Sequence, residues 1–174
     1  CVNALSDHMI VNVYRDGKIY QQEYSKGKPL YAVKEVGTTD KRGTKITFQP
    51  DGSIFTVTEY KYDTLLERMR ELASLNKGIE INICDWRKPD EDPNNLNTQN
   101  NQNTPSRQEH FFSEKGLRDF IAYLDENREK LMPDAIYIEG ERKGIPIEIA
   151  MQYNTGYSEN LHSYVNNINT HEGR

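Results

Sequence analysis

The chain has 174 residues, of which 35% are hydrophobic and 28% are charged, and its mean hydropathy is -0.88. This length allows one domain or parts of two. The formal net charge of -5 disfavours nucleic-acid binding by this chain alone, because neutralising phosphates needs a surplus of Lys and Arg on one face. With no apolar run near the roughly 18 residues of a membrane span and no signal peptide, the sequence predicts a soluble, cytoplasmic protein without membrane partners.

The first part of the chain predicts antiparallel strands. Residues 1–6 look like the end of a helix, and the alternation in 9–14 then indicates a strand. Asp16-Gly17 tolerates positive φ angles, so it predicts a tight turn into a return strand. A third strand is expected at 31–36.

The next strand contains three side chains that are expected to share one face. Thr44, Ile46 and Phe48 are spaced by two residues, which is the period of a strand. The sequence Pro50-Asp51-Gly52 is typical of a turn and ends this strand.

Two amphipathic helices are predicted, the clearer one near 60–76 and the second near 113–126. Asp63 is a candidate N-cap of the first helix, and Ser113 is a candidate N-cap of the second. Apolar residues recur at spacings of three and four in the first helix, which indicates one buried stripe. The stripe consists of Tyr62, Leu65, Leu66, Met69, Leu72 and Leu75.

Between the two helices lies a polar stretch, 88–108, which is rich in asparagine and proline and nearly free of apolar residues. Such a segment cannot bury enough surface to offset the entropy lost on ordering, so it is predicted to be a disordered insertion. After the second helix, 134–153 predicts two strands around a glycine-containing turn, and 161–168 predicts a last strand. Eight or nine strands and two helices indicate an α+β fold with antiparallel sheet.

The sequence contains no recognisable catalytic or metal-binding motif. The four histidines lack the spacing of metal ligands, and the two cysteines belong to no zinc or CxxC motif. Neither a nucleophile elbow nor a phosphate-binding P-loop is present. No catalytic residue and no metal ligand are therefore predicted.

Several segments follow one another in a distinctive order. The two most specific are RELASLNKG and YVNNINTHEG, and the others are VNALS, YRDGKIYQQEYSKG, GTKITFQPD and FFSEKGLRDFIAYL. In this order they resemble the B subunits of the type II topoisomerases, DNA gyrase and its close relative topoisomerase IV. The resemblance covers almost the whole chain except 88–108.

The resemblance implies two domains. Residues 1–110 would be the second half of a GHKL-type ATPase α/β sandwich, and 111–174 would begin a ribosomal-protein-like transducer domain. It also implies an ATP-dependent type II topoisomerase that introduces negative supercoils into DNA by double-strand passage. In that family the B subunits dimerise when they bind ATP, and they assemble with the gyrase A subunits into an A2B2 heterotetramer.

Four residues match family positions at the nucleotide pocket. Gly43 and Thr44 match a strand motif whose threonine hydroxyl helps to hold adenine, and Ile46 matches an apolar position that lines the pocket. Arg15 matches an arginine at the pocket rim that contacts coumarin inhibitors. Without the resemblance, Ile46 is explained equally well as a core residue of a strand, and Arg15 as an ordinary solvated side chain.

The resemblance also implies that most of the catalytic machinery lies elsewhere. The family's catalytic glutamate, magnesium-binding asparagine, adenine-binding aspartate and glycine-rich lid precede the segment VNALS, and its phosphate-contacting lysine follows THEG. ATP and Mg²⁺ are therefore expected in the full-length enzyme, whereas this chain alone is expected to be inactive and to bind no cofactor tightly. Arg174 departs from the family's second glycine.

Three alternatives stay open at the level of sequence. The topoisomerase IV B subunit, which acts in decatenation of DNA, shares the same motifs, although gyrase is preferred. A non-catalytic adaptor could share the fold and bind protein instead of nucleotide. MutL belongs to the same ATPase group, but the two specific segments disfavour it.

Overall fold

The structure is a computed structural model, and it describes residues 1–87, 105–157 and 159–170. It consists of antiparallel strand pairs and two α-helices, which confirms the predicted α+β class. The chain divides into two compact units, Cys1–Tyr60 and Lys61–Arg174. Within the described ranges, no helix is long and apolar enough to cross a membrane.

The first unit is a five-stranded antiparallel sheet built around its first strand. The strands are β1 (Ser6–Arg15), β2 (Lys18–Ser25), β3 (Lys28–Pro29), β4 (Lys34–Thr38) and β5 (Gly43–Pro50). Strand β1 pairs with β2 on one side and with β5 on the other, and β2 pairs in turn with the short strands β3 and β4. Strand β4 lies slightly later in the chain than predicted.

The hairpin between β1 and β2 has the turn that the sequence predicts. Asp16 and Gly17 have φ angles of 54° and 76°, the conformation that suits a two-residue hairpin turn. Arg15 is therefore opposite Lys18, and the pairing continues without a shift to Met9.

The start of the chain differs from the prediction. Instead of the end of an α-helix, the start of the chain forms one 3₁₀ turn, Asn3–Leu5, because β1 already begins at the next residue.

Asp51 is buried, and its carboxylate accepts hydrogen bonds from the Ser53 amide at 2.8 Å and from the Ser53 hydroxyl at 2.7 Å. The Lys26 ammonium lies 3.1 Å from the other carboxylate oxygen.

The second unit places two helices beside a strand hairpin. Helix α1 (Tyr62–Leu75) contacts α2 (Leu117–Leu124) and both strands of the hairpin, β6 (Glu80–Asp85) and β7 (Arg107–Phe112). The amphipathic pattern of α1 is thus explained by its neighbours. Among the described residues of this unit, the buried apolar side chains are Tyr62, Ala73 and Phe120.

Both predicted helix caps have a different role. Asp63 lies in the first turn of α1, where it pairs with Arg107 at 2.5 Å instead of capping the helix. Ser113 precedes α2 by several residues; its hydroxyl accepts a hydrogen bond from the Gly116 amide and donates one to Asp119, each at 2.8 Å. Ser113 therefore orders the turn that leads into the helix.

Strands β8 (Ile136–Arg142) and β9 (Ile145–Met151) form a hairpin around Lys143 and Gly144, both of which have positive φ. This confirms the two strands predicted around a glycine turn. One face of the hairpin is a row of large apolar side chains that are 36–65% exposed. The row consists of Ile136, Ile138, Ile145, Ile147, Ile149 and Met151.

The end of the described chain is a second small hairpin, so the prediction of one last strand at 161–168 was wrong. Strands β10 (Tyr164–Val165) and β11 (Ile168–Asn169) pair across two asparagines with φ angles of 50° and 65°. Asn tolerates this left-handed conformation better than most residues, which allows the chain to reverse here.

Most of the predicted insertion, 88–108, lies outside the described residues, as does Arg174. The structure shows β7 beginning at Arg107, so regular pairing extends two residues into this predicted stretch. Arg107 and Gln108 pair with the end of β6, which supplies the backbone partners that composition alone does not reveal.

The exposed row on β8 and β9 predicts that the isolated chain self-associates, because contiguous apolar surface gains free energy when it leaves water. We expect Ile147→Glu to shift the chain towards a monomer in size-exclusion chromatography. Lys143→Gln alters the net charge equally in the adjacent turn and should leave association unchanged. A stable monomer of the unsubstituted chain would contradict this prediction.

Asp51 predicts a loss of stability in acid. Hydrogen bonds from Ser53, and then the Lys26 ammonium, lower the pKa of Asp51 from 3.8 to about 2. Because the folded carboxylate binds its proton at lower pH than the unfolded one, its contribution to stability is lost as the pH falls from 3.8 towards 2. Chemical unfolding across this range should show a weaker pH dependence for Asp51→Asn than for the exposed control Asp40→Asn.

Candidate functional site

The four residues singled out in the sequence lie at one end of the ladder between β1 and β5. Arg15 is the last residue of β1, and Gly43 is the first residue of β5. Tyr14 is opposite Gly43, and Val13 is opposite Thr44. Residues from two distant parts of the sequence are therefore adjacent because these strands pair.

The alternation of side chains places most of these residues on a single face of the sheet. Thr44 and Ile46 share that face with Val11 and Val13, which are their partners or neighbours on β1. Arg15 lies two residues beyond Val13 and belongs to the same face. The Ile46 side chain is 54% exposed in this structure, so it is not a core residue of the described sheet.

Gly43 differs from the other three residues because it offers only backbone. Its φ angle is +153°, which side chains rarely adopt, and open space surrounds the position where a Cβ would stand. The constraint at this position is therefore backbone conformation and not crowding. Gly43 begins β5, and Thr44 follows it directly.

Arg15 supplies positive charge at the rim of this face. Its Nε lies 3.2 Å from the Asp16 carboxylate, and the two side chains are 67% and 79% exposed. On the next strand, Lys18 pairs with Glu35 at 2.7 Å, and this hydrogen bond raises the pKa of Lys18. Exposed pairs of this kind are weak, so both cations can reorient towards an anionic ligand.

Three further residues of this face, Val11, Val13 and Tyr20, were missed by the sequence analysis. Tyr20 is opposite Val13, and Val11 is opposite Ile46. The side chains of Val11, Val13 and Tyr20 are partly buried, whereas that of Ile46 is exposed. The signal was present, because a two-residue turn at Asp16-Gly17 fixes which residues of β2 are opposite those of β1.

The face combines an apolar strip, the Thr44 hydroxyl and a cationic rim. An apolar strip can pack against a flat ring, while the Thr44 hydroxyl can both donate and accept a hydrogen bond at a polar ring edge. The nearby carboxylates of Asp16 and Glu35 are each ion-paired. Among the described residues, no three His, Cys, Asp or Glu side chains are grouped to hold a metal ion. The apolar strip and the Thr44 hydroxyl suit the binding of a flat ring with a polar edge.

Comparisons with known proteins identify the family. A family profile described as DNA gyrase B matches residues 116–173. The DNA gyrase B subunit from Cytophaga hutchinsonii is 54% identical over 173 residues, or 99% of this chain, and that from Staphylococcus aureus is 46% identical over the same share. The chain belongs to the DNA gyrase B family. It spans 34% of the Cytophaga protein and 25% of the Staphylococcus protein.

Solved structures of DNA gyrase B share the fold of this chain. The 43K ATPase domain of Thermus thermophilus gyrase B, crystallised with an aminocoumarin, matches with a TM-score of 0.77 and 27% identity, over 96% of this chain and 42% of that one. The gyrase B subunit of Myxococcus xanthus matches with a TM-score of 0.77 and 20% identity, over 95% and 44%. The predicted likeness to a GHKL-type ATPase domain is confirmed.

The backbone at Gly43 generates a prediction for stability. We expect Gly43→Ala to destabilise the first unit by about 1 kcal/mol or more, because a side chain is strained at positive φ. Gly52→Ala is the matched control, since its Cβ also meets open space and its φ lies outside the range that side chains rarely adopt. Thermal or denaturant unfolding of both variants measures the difference, and equal stabilities would contradict the assignment of strain.

Proposed function

We propose that this chain is part of the ATPase and transducer region of a DNA gyrase B subunit, an ATP-dependent type II topoisomerase that introduces negative supercoils by double-strand passage. The observation that supports this most strongly is 54% identity to a known DNA gyrase B subunit over 99% of the chain. The exposed face at the end of β1 and β5 gives the proposal a specific place for nucleotide.

In this proposal, Thr44 and Ile46 form part of the adenine side of the pocket. Ile46 packs against the base, and the Thr44 hydroxyl bonds to its polar edge, while Gly43 keeps the strand in the required conformation. Arg15 acts at the rim, where it contacts the outer part of a ligand. An aminocoumarin bound to the related Thermus ATPase domain is consistent with a ligand pocket in this fold.

The chain alone is proposed to bind nucleotide weakly and not to hydrolyse it. Hydrolysis needs a general base that activates water, and the carboxylates of Asp16 and Glu35 are ion-paired with Arg15 and Lys18. Mg²⁺ would come with the nucleotide phosphates and would neutralise their charge. The described residues include no cluster suited to hold it independently.

The partners and the domain division also belong to the proposal. We propose assembly with the gyrase A subunits as an A2B2 heterotetramer on DNA in the cytoplasm, and dimerisation of B subunits on ATP binding. The ATPase part would end near residue 110 and the transducer part would begin at 111. The start of the DNA gyrase B profile at residue 116 supports a division in this region.

The topoisomerase IV B subunit is the second candidate. It differs in the outcome of strand passage, which depends on the partner, so this chain offers few residues that discriminate the two. The identities to gyrase B subunits from Cytophaga hutchinsonii and Staphylococcus aureus favour gyrase. Supercoiling of relaxed circular DNA by the complete protein and its gyrase A partner would favour gyrase, and decatenation without supercoiling would favour topoisomerase IV.

Ligand binding tests the proposed site. In the complete protein, Thr44→Val should weaken binding of a non-hydrolysable ATP analogue about tenfold, because the hydrogen bond proposed between the Thr44 hydroxyl and the bound base is lost. Arg15→Gln should weaken aminocoumarin binding more than nucleotide binding, because Arg15 lies at the rim. Isothermal titration calorimetry measures both affinities.

Thr47→Val is the control for this experiment. Thr47 is exposed on the same strand but faces the opposite side of the sheet, where it is opposite Ile10. The Thr47→Val substitution makes the same chemical change as Thr44→Val, and the Thr47→Val protein should bind both ligands normally. Equal losses in Thr44→Val and Thr47→Val would contradict the site, and binding of neither ligand to the unsubstituted protein would favour the non-catalytic adaptor.

A further inference from the structure

The hairpin β10–β11 is too small to be stable by itself. Each strand has two residues, and among the described residues the ladder is extended only by the pair Ser163 and Thr170. The Thr170 amide donates to the Ser163 carbonyl at 2.8 Å, and the two hydroxyls lie 2.7 Å apart. An isolated two-stranded hairpin is marginally stable at best in water, so its order depends on what it packs against.

Helix α1 provides the polar contacts that hold this hairpin. The Tyr164 hydroxyl donates to the Glu71 carboxylate at 2.5 Å, and the Arg68 guanidinium donates to the Asn167 carbonyl at 2.6 Å. Asn76, just beyond the helix, accepts a bond from the Asn167 amide group at 3.1 Å. Arg68 also pairs with Glu71, so the contacts form one connected network.

The network is shielded from water on one side by aromatic rings. The side chain of Glu71 is 18% exposed. Phe120 of α2 is buried and meets the Tyr164 ring edge-on at 6.3 Å, while His162 stacks on the same ring at 6.5 Å. Burial and the adjacent carboxylate raise the pKa of Tyr164, which keeps its hydroxyl protonated as a donor.

We propose that Arg68 and Glu71 of α1, together with Tyr164 and Asn167 of the hairpin, form a latch that couples the position of α1 to the docking of β10–β11. The side-chain hydrogen bonds form only when α1 and the hairpin are correctly aligned. A movement of α1 therefore breaks these bonds and releases the hairpin, which is only marginally stable without them. These four are positioning residues and touch no ligand in this assignment.

The regulatory meaning of the latch rests on the proposed function. Helix α1 lies in the part assigned to the ATPase region, and the hairpin lies in the part assigned to the transducer. The two segments that carry the family resemblance most specifically, RELASLNKG and YVNNINTHEG, meet at this network through Glu71, Asn76, Tyr164 and Asn167. The latch would therefore be a joint through which nucleotide binding alters the transducer part.

Hydrogen–deuterium exchange of the hairpin amides tests this proposal in the complete protein, with and without a non-hydrolysable ATP analogue. Tyr164→Phe removes only the donated hydroxyl, and we expect the hairpin to exchange about tenfold faster without nucleotide, because a hydrogen bond to a charged group is lost. Tyr123→Phe is the matched control: Tyr123 is 42% exposed on α2, and the change leaves its ring in place. In the Tyr123→Phe protein, the hairpin amides should exchange at the same rate as in the unsubstituted protein.

A second pair of variants repeats the test from the helix side. Glu71→Gln removes the charge that receives the Tyr164 hydroxyl, whereas Glu67→Gln makes the same change one turn earlier on an exposed position. We expect faster hairpin exchange only for Glu71→Gln. Because this variant keeps an oxygen acceptor of similar shape, it preserves the fold if Tyr164→Phe does not.

Nucleotide affinity separates coupling from a purely structural role. The latch predicts that the analogue alters hairpin exchange in the unsubstituted protein, and that Tyr164→Phe abolishes this response while affinity for the analogue changes less than twofold. Hairpin exchange as slow in Tyr164→Phe as in Tyr123→Phe would overturn the latch, and so would a bound analogue without effect on the unsubstituted hairpin. Failure of the analogue to bind at all would contradict the proposed function, while the nucleotide-free comparison still decides whether the latch exists.

Discussion

The register of strand β1 is the constraint on which the first unit depends. Strand β1 pairs along its length with both β2 and β5, so its residues determine which side chains of two neighbours share a face. A slip of one residue would move every side chain to the other face of the sheet. The two-residue turn at Asp16-Gly17 prevents such a slip between β1 and β2. The register of β1 with β5 is the reason why Thr44, Ile46 and Arg15 can form one surface.

The second unit is held together differently. Few apolar side chains are buried in the described part of this unit, and several contacts between its elements instead place an arginine over an aromatic ring. Arg70 of α1 lies over Phe111 and Tyr123, and Arg107 of β7 lies 4.0 Å from the Tyr62 ring. Such contacts combine the burial of apolar stems with an attraction between cation and ring, so charge stabilises the packing where a larger core would otherwise be needed.

The sequence predicted those elements whose turn chemistry and periodicity agree. Asp16-Gly17 and Lys143-Gly144 both mark hairpins, and the spacing of apolar residues defined α1. The hairpin at Asn166-Asn167 was missed because strands of two residues have no measurable alternation. Its side-chain partners lie on α1, nearly a hundred residues earlier, and no local pattern reports such a contact.

The candidate site shows the same limit from the functional side. Periodicity placed Thr44 and Ile46 on one face, but it could not distinguish an exposed face from a core, and the resemblance alone connected them with Arg15. The structure contributes the pairing of β1 with β5 and the exposure of Ile46. Asp63 illustrates the opposite case. It is a typical helix-capping residue, but it forms an ion pair with Arg107, a partner that only the fold brings near.

The central claim is that the face bearing Thr44 and Ile46 receives the base of a nucleotide. Nuclear Overhauser effects between the adenine protons of a bound ATP analogue and selectively labelled methyl groups of the complete protein test this directly. The account predicts contacts from adenine to the Ile46 methyl groups and none to Thr47, which lies on the opposite face of the same strand. A bound analogue whose adenine contacts Thr47, or neither residue, would contradict it.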